Sequence, residues 1–176
     1  MVGASEFDEA YEDDESRHAE RERRLGEAIL DAPISALRPK PAVSLAENTP
    51  IGDAVQLLID EHIGALLVTS EEGGIVGIFT ERDVLRRVAR SGIDTMRPIK
   101  DVMTPDPETL GLDDGIAFAL NRMVVQGFRH IPVVDPSGAS MLSVRDVVSF
   151  IVSSLPGKVI NLPPEPGLEA RERDGG

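Results

Sequence analysis

The chain has 176 residues, of which 41% are hydrophobic and only 3% aromatic. That suits one domain, or one compact pair, with a mostly aliphatic core. A formal net charge of −13 argues against a polyanion as the main partner, because DNA and RNA affinity needs a clustered basic surface. The absence of cysteine excludes disulfides and thiolate metal sites and fits a reducing compartment.

The charge is uneven. Eleven acidic residues and four arginines fall within positions 1–31, so an N-terminal arm carries more than half of the excess. No apolar run approaches the roughly 18–20 residues of a membrane span. The acidic N-terminus has no apolar signal core, and a cytoplasmic protein is expected.

In chain order, residues 1–15 are polar and acidic and are expected to be mobile. Residues 16–31 read as a helix, with a narrow apolar stripe of Leu25, Ala28 and Ile29 among alternating Arg and Glu. A Pro-rich lead-in follows over 33–50, with a short strand near Val43–Leu45. Asn48-Thr49-Pro50 predicts a helix start, and the helix runs to about His62 with Ile51, Ala54, Val55, Leu58 and Ile59 inward. Strands are expected at Leu66–Thr69 and from Ile75 to Thr80, around the turn Ser70-Glu71-Glu72-Gly73-Gly74. A helix from Glu81 to about Arg90 should bury Val84, Leu85 and Val88.

The plan then recurs. Pro105 and Pro107 mark a second lead-in. Asp113 or Asp114 is expected to cap a helix over Gly115–Gln126. Strands follow at His130–Val134 and Ala139–Leu142, and a last helix runs from Val144 to about Ser154. A Pro- and Gly-rich tail, expected to be extended, completes the chain, with Leu162 as a residue that could pack on the body.

This recurrence is an internal repeat. Gly77-Ile78-Phe79-Thr80-Glu81-Arg82-Asp83-Val84-Leu85 returns as Ser140-Met141-Leu142-Ser143-Val144-Arg145-Asp146-Val147-Val148. Ala32-Pro33-Ile34 matches Arg97-Pro98-Ile99, and Ile63-Gly64-Ala65-Leu66-Leu67-Val68 matches Phe128-Arg129-His130-Ile131-Pro132-Val133. The second copy is two residues shorter in its central turn. One unit of roughly 60 residues is small for an independent core, and two copies packed together would bury more.

The paired Gly-hydrophobic-x-Thr-x-x-Asp at 77–83 and Ser-x-x-Asp at 143–146 resemble those of the tandem cystathionine-β-synthase (CBS) domain pair, or Bateman module. Arg-His-Ile-Pro-Val-Val at 129–134 and Asp-Val-Met-Thr at 101–104 add to the likeness. The resemblance covers about residues 32–155. It implies an α/β (α+β) fold of two β-α-β-β-α repeats in pseudo-two-fold symmetry, here preceded by an N-terminal helix. The expected division is an arm and helix at 1–31, repeats at 32–92 and 97–155, and a tail at 156–176.

The resemblance also implies two clefts that take adenosine-containing ligands. An Asp carboxylate suits a ribose diol, a Thr or Ser hydroxyl suits ribose or phosphate, and a helix N-terminus with an Arg suits an anion. On that basis Thr80, Asp83, Ser143 and Asp146 are assigned to ribose and phosphate, and Arg82 and Arg145 to phosphate. The adenine pocket is expected from Arg129, His130, Ile131, Pro132 and Thr104 on one side. On the other it is expected from Gly64, Ala65, Leu66, Leu67 and Arg38. Ser140, standing where Gly77 stands in the first copy, is expected to narrow the second cleft. The plainer reading of each Ser/Thr-x-x-Asp is a capping box.

The leading expectation is a regulatory, energy-sensing module that binds an adenine nucleotide (AMP, ADP, ATP or a related adenosine compound). With no segment for an attached enzyme or channel, its output is expected to act in trans on a protein partner. The alternative is a dimeric interaction scaffold with degenerate, empty clefts. No catalytic residue, required cofactor or metal is expected, because the three His are scattered and no nucleophile or acid pair accompanies them. The resemblance further implies a homodimer through helix faces that include Val84, Val88, Val147 and Ile151.

Overall fold

The computed structural model describes Arg17, Glu20, Arg21 and residues 23–154. The expected mobile arm and extended tail, with Leu162, lie outside the described residues. Residues 23–31 form the first helix, α1. It carries i,i+4 pairs of Arg24 with Glu20 at 2.7 Å and Arg23 with Glu27 at 3.7 Å. It buries Ile29 and leaves Leu25 and Leu30 partly exposed.

Two four-stranded sheets follow. The first contains β2 (Ser44–Ala46), β3 (Ala65–Thr69), β4 (Ile75–Thr80) and β5 (Thr104–Pro105). The second runs in the order β1 (Lys40–Pro41), β8 (Gly138–Ser143), β7 (His130–Asp135) and β6 (Leu110–Gly111). In each, a parallel pair (β2 with β3, β6 with β7) precedes an antiparallel hairpin. The helices are α2 (Ile51–Asp60), α3 (Glu81–Asp83, continued by a π-helical stretch over Val84–Ala89), α4 (Ile116–Gln126) and α5 (Val144–Ser154). This is the β-α-β-β-α plan expected of each repeat.

The two lead-ins are exchanged. β1 of the first repeat pairs with β8 of the second, and β5 of the second pairs with β4 of the first. The short 3-10 turns ahead of them cross over in the same way. Ile34, in the turn Ile34–Leu37, sits fully buried in the second repeat's core with Ile116, Ile131, Leu142 and Val147. Ile99, in the turn Ile99–Asp101, sits fully buried in the first repeat's core with Ile51, Leu66 and Phe79. The backbone bonds repeat at an offset of 65. Ile34 N–H donates to Asp114 O and Ile99 N–H to Thr49 O, both at 2.8 Å. Ile116 N–H donates to Ala32 O and Ile51 N–H to Arg97 O, both at 2.9 Å.

This exchange corrects the expected Asp cap of α4, while α2 starts after Pro50 as expected. The first N–H groups of a helix lack intrahelical acceptors, and here the exchanged lead-ins supply carbonyls to α2 and α4. Neither helix has a side-chain cap: Pro50 and Gly115 hold the N-cap positions. Asp114 instead accepts from Gly111 N–H at 2.7 Å. Two inward assignments also shift. Ile59 is 58% exposed and Leu85 70% exposed. Ile51, Ala54 and Leu58 already supply the buried stripe of α2, and Leu85 faces outward as its counterpart Val148 does in α5.

Gly77 has a local reason within the exchange. A Cβ placed there would lie 2.3 Å from Met103 Sδ, so the missing side chain lets Met103 lie against β4. What Gly77 makes room for is the second repeat's lead-in.

If the exchanged isoleucines hold the two repeats together, Ile34→Ala and Ile99→Ala should each cost about 2–5 kcal/mol. Denaturant unfolding measures this. A loss below about 1 kcal/mol in both would show that the lead-ins are loosely seated.

Candidate ligand-binding cleft

Both Ser/Thr-x-x-Asp motifs sit where a strand runs into a helix, and both are closed capping arrangements. Asp83 Oδ2 accepts from Thr80 N–H at 3.0 Å and from its hydroxyl at 2.7 Å. The Thr80 hydroxyl in turn accepts from Asp83 N–H at 3.3 Å. Asp146 Oδ2 accepts from Ser143 N–H at 2.8 Å and from its hydroxyl at 2.6 Å, and Ser143 Oγ accepts from Asp146 N–H at 3.3 Å. In each motif the cap uses one carboxylate oxygen. Asp83 is almost fully buried, and its Oδ1 lies 3.5 Å from Arg87 Nε.

A cleft of about 520 Å³ opens at the first motif, within the usual range for small-molecule sites. The first repeat contributes Gly64, Ile78, Thr80, Glu81, Arg82, Asp83, Leu85, Arg86 and Arg87. The second contributes Thr104, Asp106, Pro107 and Glu108 from its lead-in, and Gln126 through His130 with Pro132. The strand exchange makes this possible: β5 on the first sheet places Thr104 opposite Ile78, beside the motif.

Eight of the expected site residues thus line one cleft: Gly64, Thr80, Arg82, Asp83, Thr104, Arg129, His130 and Pro132. The others lie elsewhere. Leu66 and Ile131 are fully buried in the first and second repeat cores. Successive strand residues point to opposite faces, so His130 and Pro132 reach the cleft while Ile131 between them cannot. Ala65 is buried against β4, opposite Thr80. Ser143 ends β8, and Arg145 and Asp146 lie in the first turn of α5, at the second motif. Arg38 is exposed just before β1, in the left-handed region with φ 50°.

The cleft's charged groups differ in how they are engaged. Arg82 donates to Gly127 O at 2.8 Å, joining the two repeats. Glu108 pairs with Arg122 at 2.9 Å. Arg86 and Arg129 are exposed, and their side chains form no hydrogen bond or ion pair among the described residues. Sequence reasoning missed Arg86 and Arg87. Their signal was the Arg-Arg pair in a helix whose second copy carries Ser149-Phe150.

His130 sits at the junction of the two repeats. A Cβ on Gly64 would come within 2.8 Å of its Cε1. Burial pushes the His130 imidazole below its ordinary 6.5. The carboxylates of Glu81 and Asp146 act against that shift, and Arg129 and Arg145 reinforce it. Among the described residues no group of three His, Asp or Glu is placed to hold a metal, and no helix is long and apolar enough to cross a membrane.

The CBS-domain family model matches residues 34–90 and 99–153, and the chain belongs to the CBS-domain family, as a tandem pair of these domains. The matched model is that of a regulatory rather than a catalytic unit. An uncharacterized 17.7 kDa protein of Acidianus ambivalens is 31% identical over 68% of this chain and 73% of that protein. The chain spans a smaller share, 41%, of an uncharacterized Methanocaldococcus jannaschii relative, at 27% identity.

Among solved structures, the CBS-domain containing protein ATU1752 from Agrobacterium tumefaciens is 30% identical. It matches with a TM-score of 0.59 over 64% of this chain and 85% of that chain. The CBS domain protein PAE2072 from Pyrobaculum aerophilum, complexed with AMP, is 27% identical, with a TM-score of 0.61 over 70% of this chain and 98% of that one.

The lowered pKa of His130 predicts a pH dependence of stability. The folded state favours the neutral ring, so the contribution is full above 6.5 and is lost as pH falls from there toward the folded-state value. Urea unfolding of wild type and His130→Gln between pH 7.5 and 5 should show the wild type losing more stability than the variant. Parallel losses would mean that His130 does not report its burial in this way.

Proposed function

We propose that this CBS pair is a ligand-sensing regulatory module that binds an adenosine-containing nucleotide in the cleft at Thr80–Asp83 and signals in trans to a protein partner. The observation that carries this reading is the convergence of Thr80, Asp83, Thr104, Arg129, His130 and Pro132, drawn from both repeats, on one cavity of about 520 Å³. The AMP bound by the Pyrobaculum protein supports the ligand class. In this reading Asp83 Oδ1, the oxygen outside the cap, meets the ribose diol beside Arg87, and Arg86 and Arg129 are the cations left to meet phosphate, since Arg82 is committed to Gly127. Ile78 and Pro132 offer apolar surface to the base. Regulation as an energy sensor, and as a homodimer, follows as part of the same proposal.

One observation favours a second reading, a scaffold with empty clefts. Both motif carboxylates are already satisfied on one oxygen by their own helix caps, and a cap needs no ligand.

Thermal unfolding against AMP, ADP, ATP, S-adenosylmethionine and NAD separates the two. A ligand at 100 times its dissociation constant should stabilise by about 2.7 kcal/mol, which raises the melting temperature by about 5–10 °C at this size. Asp83→Ala should lose that rise, beyond a baseline cost of about 0.5–2 kcal/mol for the lost cap, whereas Asp146→Ala should keep it. No shift with any of the five at millimolar concentration would leave the scaffold reading standing.

A further inference from the structure

The four arginines of the cleft are not equivalent. Arg82 ties one repeat to the other through Gly127 O, and the side chains of Arg86 and Arg129 have no hydrogen-bond or ion-pair partner among the described residues. Arg87 reaches in two directions. Its Nη1 donates to Val102 O at 2.9 Å and also to Met103 O, while its Nε lies 3.5 Å from Asp83 Oδ1. Val102 and Met103 belong to the exchanged lead-in. They join the Ile99–Asp101 turn to Thr104, which lines the cleft. One guanidinium therefore links the motif carboxylate to the backbone that carries another cleft residue.

The second repeat has no such link. Phe150 stands at the position of Arg87 and Ser149 at that of Arg86. Phe150 packs on the second repeat's apolar core instead, whereas Leu37 packs there just as its counterpart Val102 packs in the first. The winding differs too: Val84–Ala89 is π-helical, whereas Val144–Ser154 is an α-helix throughout. Local π-helical winding is frequent at functional sites, and here it carries Leu85, Arg86 and Arg87 along the cleft wall.

We propose that Arg87 is a positioning residue that couples occupancy of the Thr80–Asp83 cleft to the seating of the second repeat's lead-in. The proposal rests on the nucleotide reading above. A ligand whose hydroxyls donate to Asp83 orders the carboxylate, and through it Arg87 and the Val102–Thr104 backbone. The ligand thereby favours the seated lead-in, and by reciprocity an unseated lead-in weakens the ligand. Because Phe150 replaces Arg87 in the other repeat, only one of the two exchanged lead-ins reports occupancy.

The test is amide hydrogen exchange with and without saturating AMP, together with AMP titration calorimetry, on wild type, Arg87→Met and Arg87→Lys. In wild type AMP should slow exchange over residues 99–104 about tenfold, with no comparable change over 34–40. Without ligand, Arg87→Met should exchange faster over 99–104. It should bind AMP about tenfold more weakly and lose the AMP-dependent protection even when saturated. Arg87→Lys keeps the charge without the bridging fork, and should recover part of the affinity but not the protection. Equal protection in Arg87→Met at saturation, or equal protection of both lead-ins in wild type, would overturn the coupling while leaving the nucleotide reading intact. Failure of wild type to bind AMP would overturn both for this probe. Unchanged ligand-free exchange over 99–104 in Arg87→Met would overturn the link itself.

Discussion

The structure depends on the reciprocal burial of two isoleucines, each in the core of the repeat to which it does not belong by sequence. Ile34 fills the second repeat's core and Ile99 the first's, and burying a side chain of that size is worth about 1.5–3 kcal/mol. A unit of about 60 residues buries too small a share of its surface to be stable by a wide margin. The exchange gives each unit an extra buried side chain, an extra edge strand and acceptors for helix N-termini. It also makes the two repeats inseparable, because neither core is complete with its own residues alone.

The cleft is a consequence of that exchange. β5 is only two residues long and contributes little as a strand. Its placement on the first sheet nevertheless brings Thr104 beside Thr80 and Asp83, while β7 of the second repeat supplies His130 and Pro132 from across the junction. A site assembled from two repeats is sensitive to how they sit together, and that gives a binding event a route to change shape. The capping boxes fit the same logic. They hold Thr80 and Asp83 by one carboxylate oxygen, at the mouth of a cavity, before any ligand arrives.

Much of this was legible in the sequence. The offset of 65, falling to 63 after the shorter turn, located both motifs, the approximate positions of five of the eight strands, and the family. Three features were not legible, each for a physical reason. The lead-in exchange is made largely of backbone hydrogen bonds and two-residue strands, which leave no side-chain periodicity to read. The cap of α4 was misassigned because a carbonyl from that exchange took the place of a side-chain acceptor. The adenine-pocket residues were chosen as consecutive runs, 64–67 and 129–132, whereas strand alternation sends Leu66 and Ile131 into the cores.

Asymmetry between the copies carries the remaining information. Where the repeats agree (the caps, the exchanged isoleucines, the paired strands) the residues serve the fold, since both copies need the same support. Where they differ, support cannot be the whole reason. Gly77 against Ser140 is explained by Met103 lying on β4. Arg86-Arg87 against Ser149-Phe150 places cations along one cleft and an aromatic ring on the other core. Both lead-ins are thus held by apolar packing, and the first repeat adds a polar link to Asp83. A packed ring loses little when a neighbouring carboxylate changes partners, but a guanidinium shared between that carboxylate and two carbonyls cannot be indifferent to it. Under the proposed nucleotide reading, that difference singles out the first cleft as the one fitted to convert occupancy into movement.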